Sequence, residues 1–342
     1  MVISLELDER YSRQVLFGPI GTEGQRKLGE SRVVIVGCGA TGSTLASLLA
    51  RAGVGTMRLI DRDYVEPSNL QRQTLFDETD ARESLPKAVA ASRKIAAFNS
   101  AIVVEPQVAD LTPKNIDSLL DGAQLILDGT DNFETRYLVN DFAVKNSVPW
   151  IYTAAVGSYG ITMNILPGKT ACLSCIFPEP PQGRLETCDT AGILNSAVSA
   201  VASIAATEAM KFLVGAEGEM RRTVLSMDVW RNLHTEISAA KPGESCRTCG
   251  SHEFPHLDGE GRPHITMCGR NSVQIHERHR PVDLVEMGER LKPLGMVRQN
   301  EFVLKFWHNS YEMTVFPDGR AIIKGTTDPA IARSLYARYV GS

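Results

Sequence analysis

Arg32-Val-Val-Ile-Val-Gly37-Cys-Gly39-Ala-Thr-Gly42 is the stretch whose reading decides the fold. Its first five residues are mostly β-branched and read as a fully buried parallel strand. A glycine-rich turn follows directly. Gly37 permits the tight turn, Gly39 lets backbone amides approach a phosphate, and Gly42 lets the next helix pack close to the strand. Working outward, residues 43–51 read as a helix rich in Ala and Leu and 56–61 as a second strand, a βαβ unit of the expected ~30 residues. Residues 87–98 add a helix, 101–108 and 124–128 two strands, and a further helix starts near Phe133. This alternation predicts a Rossmann-like, mostly parallel α/β sheet with helices on both faces.

From Trp150 the texture changes to paired strands, a Cys-x-x-Cys pair, a loop and a long apolar stretch at 197–214. That stretch carries Glu208 and Lys211 among small residues, so it reads as a buried or interface helix and not a membrane span. Domain 1–252 is then followed by a Pro-, Gly- and charge-rich linker, 253–263. Residues 264–342 form a small α+β domain, with helices at 282–291 and 329–339 and strands at 302–307, 313–316 and 321–324.

Bulk composition narrows the function classes. Of 342 residues 43% are apolar and 22% charged, as in a soluble globular protein, and the formal net charge is −4. No basic excess is present to attract nucleic acid or anionic lipid. The first residues carry Glu6, Asp8 and Glu9 and lack an apolar core, so no signal peptide is expected and the chain reads as cytoplasmic. In such a compartment cysteine pairs favour metal over disulfide.

Asp61 stands about twenty residues beyond the glycine loop, placed for ribose hydroxyls. Loop and acid together suit NAD or FAD as well as ATP. The run Asp61-Arg-Asp63-Tyr-Val-Glu-Pro-Ser-Asn69-Leu-Gln-Arg72-Gln73 is more telling. Asn69 offers an amide to a sugar or phosphate oxygen, and Arg72 a planar fork to a polyphosphate. Lys87 can add a point charge from the other side. Asp128-Gly-Thr-Asp131-Asn132 ends a strand where ligands of open sheets bind. Asp131 either holds Mg²⁺ beside the phosphates or caps the next helix. Arg13, ahead of the first strand, lacks an evident use in its own fold and suits a finger reaching a neighbouring subunit's phosphates.

Cys172, Cys175, Cys246 and Cys249 supply four thiolates, enough to close a structural zinc site with no open position. Cys188 lies in a polar loop before a helix, where a thiolate can be exposed and stabilised. Cys38 and Cys268 read as buried or incidental.

Taken in order, Arg-Tyr-x-Arg-Gln, Gly-x-Gly-x-x-Gly, Asp-x-Asp-x-Val-x-x-Ser-Asn-Leu-x-Arg-Gln, Pro-Lys, Asp-x-Thr-Asp-Asn, Cys-x-x-Cys, Thr-Cys-x-x-Ala-Gly and Cys-x-x-Cys resemble the MoeB/ThiF family, bacterial relatives of ubiquitin-activating enzymes. The match runs from about Asp8 to Gly250. The resemblance implies a homodimeric, ATP- and Mg²⁺-dependent adenylyltransferase. Its substrate would be a small β-grasp sulfur carrier ending in Gly-Gly, activated for thiamin or molybdenum cofactor biosynthesis. It implies Asp61 on the ribose, with Asp63, Asn69, Arg72, Gln73, Lys87 and Asn132 around the nucleotide. Asp131 would hold Mg²⁺, Arg13 would enter the partner's site, and a loop near 178–188 would cover the diglycine tail. Cys188 sits where relatives form a covalent sulfur link, which inclines the reading toward thiamin. A cysteine desulfurase or rhodanese would donate sulfur. The chain departs from the family in carrying Cys38, Ala40 and Thr41 in the glycine loop and Ser84-Leu85 before Pro86-Lys87. Its C-terminal segment is too short for a rhodanese domain. A dehydrogenase using NAD, or a scaffold that binds a ubiquitin-like partner without activating it, would each explain only part of this set.

Overall fold

A computed structural model of the protein describes residues 4–179, 190–259, 271–275 and 281–341. Cys188 and Cys268 lie outside these residues, as does most of the expected 178–188 loop. The chain divides into two compact units, Met1–Gly261 and Arg262–Ser342.

The first unit opens with helices α1 (Ser4–Val15) and α2 (Gly21–Glu30), ahead of the first strand. Then come β1 (Arg32–Val36), α3 (Ala40–Ala52), β2 (Thr56–Asp61), α4 (Glu78–Glu83), α5 (Lys87–Phe98), β3 (Val103–Val108), α6 (Ile116–Leu120), β4 (Leu125–Asp128) and α7 (Phe133–Lys145). The second half holds β5 (Trp150–Val156), β6 (Tyr159–Ile165), α8 (Leu173–Ile176), α9 (Asn195–Val214), β7 (Thr223–Asp228) and β8 (Leu233–Ser238). All eight strands form one sheet in the order β3-β2-β1-β4-β5-β6-β7-β8. The first five are parallel, and β6, β7 and β8 extend the sheet with antiparallel pairing.

Both faces are covered, as alternation along a buried strand requires. Val34, Val36 and Ile126 share a core with Ile116 and Leu120 of α6 and Tyr137, Leu138 and Phe142 of α7. Val33, Ile35, Leu125 and Leu127 are fully buried on the opposite side, where α3 packs on β1 and β4, flanked by α5 on β2 and β3 and α9 on β5 and β6. The long helix α9 is apolar enough for a membrane span by composition. It packs instead on α3, β5 and β6 through Ala197, Val201, Ala202, Ala205 and Ala209, the place of a core helix. Its buried Glu208 accepts hydrogen bonds from the Arg221 amide at 2.8 Å, the Lys211 ammonium at 2.8 Å and the Asn164 amide.

Order in the N-terminal helices comes from residues that looked unemployed in the sequence. The Tyr11 hydroxyl accepts from Asn99 Nδ2 at 2.9 Å, and Gln14 donates to the Ala52 carbonyl at 2.9 Å. Arg10 donates to Asn99 Oδ1. The Tyr11 ring fills the space a Cβ on Gly53 would need, where φ is +84° at the end of α3.

Residues 253–259, expected as linker, are tied to the first unit. Phe254 and Leu257 pack on its core, and the His256 amide donates to Asp141 at 2.9 Å. The Asp141 carboxyl is pushed up to about 6 by burial, against the hydrogen bonds it accepts.

The second unit is β9 (Ser272–Ile275), α10 (Leu284–Leu291), β10 (Met296–Gln299), β11 (Leu304–His308), β12 (Tyr311–Val315), β13 (Ala321–Lys324) and α11 (Pro329–Tyr339). Its sheet is antiparallel in the order β10-β11-β12-β13-β9, with a core of Phe306, Met313, Val315, Ile323, Leu291 and Tyr336. Strands β9 and β10 were not foreseen. The third strand starts later than expected because Asn300 Oδ1 accepts the amides of Phe302 and Val303, a local turn that uses up those residues.

Candidate active site

Strand order 3-2-1-4 places the topological switch between β1 and β4, where open sheets bind ligands at their carboxyl ends. The loops after these two strands meet backbone to backbone. A Cβ on Gly37 would stand 2.6 Å from the Gly129 carbonyl, one on Gly129 2.2 Å from the Gly37 carbonyl, and one on Gly42 1.8 Å from the Gly37 carbonyl. Gly37 also takes φ +86°. Gly39 differs, since a Cβ there would meet only the Gly129 carbonyl at an ordinary 3.7 Å. The space above it is open to a ligand. Helix α3 begins here without a side-chain cap or an acidic first turn, so its amide end is left for an anion. Gly42→Ala must displace backbone. It is expected to cost about 1–3 kcal/mol in urea unfolding and to weaken nucleotide binding in the same protein.

Asp61 ends β2 and is buried. Its Oδ2 accepts the Cys38 amide at 2.6 Å and its Oδ1 the Asp63 amide at 2.7 Å, so it pins the glycine loop. Burial pushes this carboxyl above its ordinary value, while Lys87 and the two amides oppose the shift. Lys87, the first residue of α5, is buried and pairs with Asp63 Oδ2 at 3.2 Å, and its amide donates to the Asp63 carbonyl at 2.9 Å. Thus Asp63 holds the lysine in place. Asn69 closes a short 3₁₀ turn, its Oδ1 accepting the Glu66 amide at 3.0 Å. Both Asn69 and Gln73 are nearly fully buried, and Asn69 Nδ2 and Gln73 Oε1 lack a partner among the described residues. Buried polar atoms cost free energy unless paired, so these two suit a polar ligand such as a nucleotide. Arg72 is half-buried, with Nη1 on the Ser68 carbonyl at 2.8 Å.

Of the two readings of Asp131, the structure sets the cap aside. Helix α7 is capped by Asn132, whose Oδ1 accepts the Thr135 amide at 2.8 Å. Asp131 is exposed and is not needed as a cap. An exposed carboxylate beside the phosphate loop is the donor type Mg²⁺ takes, with phosphates and water completing its shell.

Beneath it lies a network the sequence reading missed. Arg136 Nε donates to Asp128 Oδ2 at 3.0 Å and Nη2 to the Thr130 carbonyl at 2.6 Å. Asp128 Oδ1 accepts from Thr130 twice, from the amide at 2.8 Å and the hydroxyl at 2.6 Å. Burial pushes Asp128 up, opposed by Arg136 and Thr130, and the guanidinium is held more firmly protonated than usual. Breaking such a buried pair costs about 3–5 kcal/mol. Arg62 was also overlooked. It pairs with Asp110 at 3.1 Å, and although burial weakens its charge, Asp110, Asp63, Asp131 and Asp61 together hold it protonated. The available signal was position alone, each arginine lying within a few residues of a quoted motif.

Arg13 is not brought to this crevice. It is exposed on the last turn of α1 and makes no described contact with the other site residues. Cys188 lies outside the described residues, and the chain beyond it pairs with the end of β5. Gly157, after β5, accepts the Leu194 amide at 2.8 Å and donates to the Gly192 carbonyl at 3.0 Å.

The four cysteines do converge. Their sulfurs lie within 4.8 Å of one another, with Cys172–Cys175 at 3.7 Å, Cys172–Cys246 at 3.6 Å and Cys175–Cys249 at 3.2 Å. Four sulfurs about 2.3 Å from a tetrahedral zinc would be ~3.8 Å apart, so the set fits with small relaxation. The Gly243 amide approaches Cys175 Sγ at 3.3 Å, a bond that favours thiolate.

A glycine loop that follows β1, pinned by a buried carboxylate at the switch point of an open sheet, defines a Rossmann-type nucleotide-binding fold. Residues 11–248 match the ThiF family. The chain is 45% identical over 336 residues to the sulfur carrier protein ThiS adenylyltransferase of Bacillus subtilis, covering 97% of this chain and 99% of that one. It is 35% identical to the SAMP-activating enzyme E1 of Haloferax volcanii, covering 73% and 92%. Among solved structures, E. coli MccB with ATP superposes with a TM-score of 0.62 at 25% identity, over 70% of this chain and 74% of that one. The chain belongs to the ThiF/MoeB family of sulfur-carrier-protein adenylyltransferases, relatives of ubiquitin-activating enzymes.

Proposed function

We propose that this enzyme uses ATP and Mg²⁺ to adenylate the C-terminal Gly-Gly carboxylate of a ThiS-type sulfur carrier. The observation that carries the reading is the crevice between β1 and β4, where the open phosphate loop, Asp61 and the exposed Asp131 meet. End-to-end similarity to the Bacillus relative, C-terminal unit included, supports the ThiS type over other carriers.

A carboxylate is a poor electrophile until its oxygen belongs to a good leaving group. The carrier carboxylate attacks the α-phosphorus, the bond to the β-phosphate bridging oxygen breaks, and pyrophosphate leaves with that electron pair. The protein's task is to align two anions and neutralise their repulsion. Asp61 takes the ribose, and the amides of the glycine loop and the α3 N-terminus take phosphate. Asn69, Gln73, Arg72 and Lys87 surround the chain of phosphates, with Asp63 and Asn132 fixing the lysine and the loop. Asp131 would hold Mg²⁺, which would supply charge neutralisation at the phosphoryl oxygens. Arg13, projecting from α1, is assigned to the site of a second copy, which makes the working unit a homodimer. Cys188 is assigned a covalent link to the carrier after adenylation, its thiolate attacking the acyl carbon while the bond to AMP breaks and AMP leaves; a cysteine desulfurase or rhodanese is assigned as the sulfur donor. The tetrathiolate is assigned zinc in a structural role, and the enzyme is assigned to the cytoplasm.

The test is exchange of labelled pyrophosphate into ATP. Exchange is expected only with a carrier ending in Gly-Gly, and it is expected to vanish when that carrier lacks its last two glycines. Carrier-independent exchange, or none with any such carrier, would refute the reading. Mixing inactive Arg13→Ala with inactive Asp131→Ala is expected to restore part of the activity, because a mixed dimer assembles one intact site.

A further inference from the structure

We infer that Arg136 is a positioning residue, setting where the Asp131 carboxylate stands relative to the phosphate loop by holding the loop of residues 128–131 from beneath. The inference rests on the reading of Asp131 as the magnesium carboxylate.

Asp131 is exposed, so its place in the site comes from its backbone. On one side Arg136 grips the preceding carbonyl, that of Thr130, at 2.6 Å, and on the other Asn132 is fixed as the cap of α7. The same guanidinium holds Asp128 at 3.0 Å, and Asp128 in turn holds the Thr130 amide and hydroxyl. The far side of this loop rests on the phosphate loop through the Gly37–Gly129 contact, where no side chain intervenes to take up slack. A shift at Thr130 therefore moves Asp131 against the nucleotide. The rings of Phe133 and Tyr152 lie 5.4 and 5.2 Å from the guanidinium carbon and fix its plane. A lysine keeps the charge but loses the two-pronged grip. Misplacement of a reacting group by about an ångström costs on the order of 10²-fold in rate.

The experiment measures kcat and the Mg²⁺ concentration giving half-maximal carrier-dependent exchange in the full-length enzyme, with melting curves alongside. Arg136→Lys is expected to raise that concentration about tenfold and lower kcat, while KM for the carrier stays within about twofold. Thr130→Val, which removes one bond to Asp128 and leaves the arginine, is expected to shift it about threefold. A role confined to folding would lower the melting temperature and leave the Mg²⁺ dependence unchanged. That outcome in both variants overturns the inference, and should Arg136→Lys fail to fold, Thr130→Val decides. Asp131→Asn is run in parallel. If it shifts the Mg²⁺ dependence and the other two do not, only the inference falls. If it does not shift it either, the reading of Asp131 falls first and the inference with it.

Discussion

Asp131→Ala is expected to lower carrier-dependent ATP–pyrophosphate exchange by about three orders of magnitude with no measurable change in melting temperature. The two halves of this result have separate causes. Losing a metal carboxylate removes several kcal/mol of charge stabilisation at the transferring phosphoryl group, and about 4 kcal/mol corresponds to a thousandfold in rate. Stability is untouched because the side chain is exposed and Asn132, not Asp131, caps α7. Surface substitutions of this kind stay within about 0.5 kcal/mol. The measurement pairs exchange kinetics with a thermal melt. A lost rate together with a lower melting temperature would mean that Asp131 supports the helix after all. An unchanged rate would remove the carboxylate from the chemistry.

Stripping metal from the four-cysteine cluster is expected to have the largest effect on stability. The protein as purified is expected to contain one zinc per chain, measurable by elemental analysis. Structural zinc in small domains contributes about 10–16 kcal/mol of apparent binding free energy. Here the ion would cross-link segments separated by 74 residues, between Cys172 and Cys246, on a unit that already has a large core. A smaller share, ~4 kcal/mol, is expected to appear as global stability, and at ~2–4 °C per kcal/mol the melting temperature should fall by roughly 10 °C. Activity should fall with it. The cysteine region packs on α7 through Leu173, Phe177, Phe254 and Leu257, and α7 carries Arg136. Asn140 Oδ1 on that helix also accepts the Leu173 amide at 2.8 Å. Cys175→Ser should reproduce both losses. Metal-free protein melting at the wild-type temperature would show the thiols to be held by packing alone.

Much of the fold, and the residues proposed for the site, could be read from local chemistry. The strand-loop-helix around Gly37–Gly42 announces itself because only glycine meets both the positive φ and the backbone contact there. Asp61, Asn69, Arg72, Lys87 and Asp131 fall in a motif order that points to one nucleotide. The helices α1 and α2 were missed because Tyr11 and Gln14 find their partners at Asn99 and Ala52, contacts that sequence distance conceals. Strands β9 and β10 are four residues each and β10 is mostly exposed, so neither carries a strong alternation signal.

By itself, then, the sequence determined the βαβ nucleotide-binding frame, the tetrathiolate set and the family. The glycine loop and each Cys-x-x-Cys pair depend on residue types at fixed short spacing, which constrains geometry directly, and the family on their order along the chain. Tertiary structure alone decided which contacts individual side chains make. It made Asn132 the helix cap and left Asp131 to the solvent-facing crevice, and it showed Asp63 to be the partner that seats Lys87. It also revealed Arg136 beneath the 128–131 loop. A carboxylate can cap, pair or ligate from the same sequence position, and only the donors that the folded chain brings within hydrogen-bond reach select among those roles.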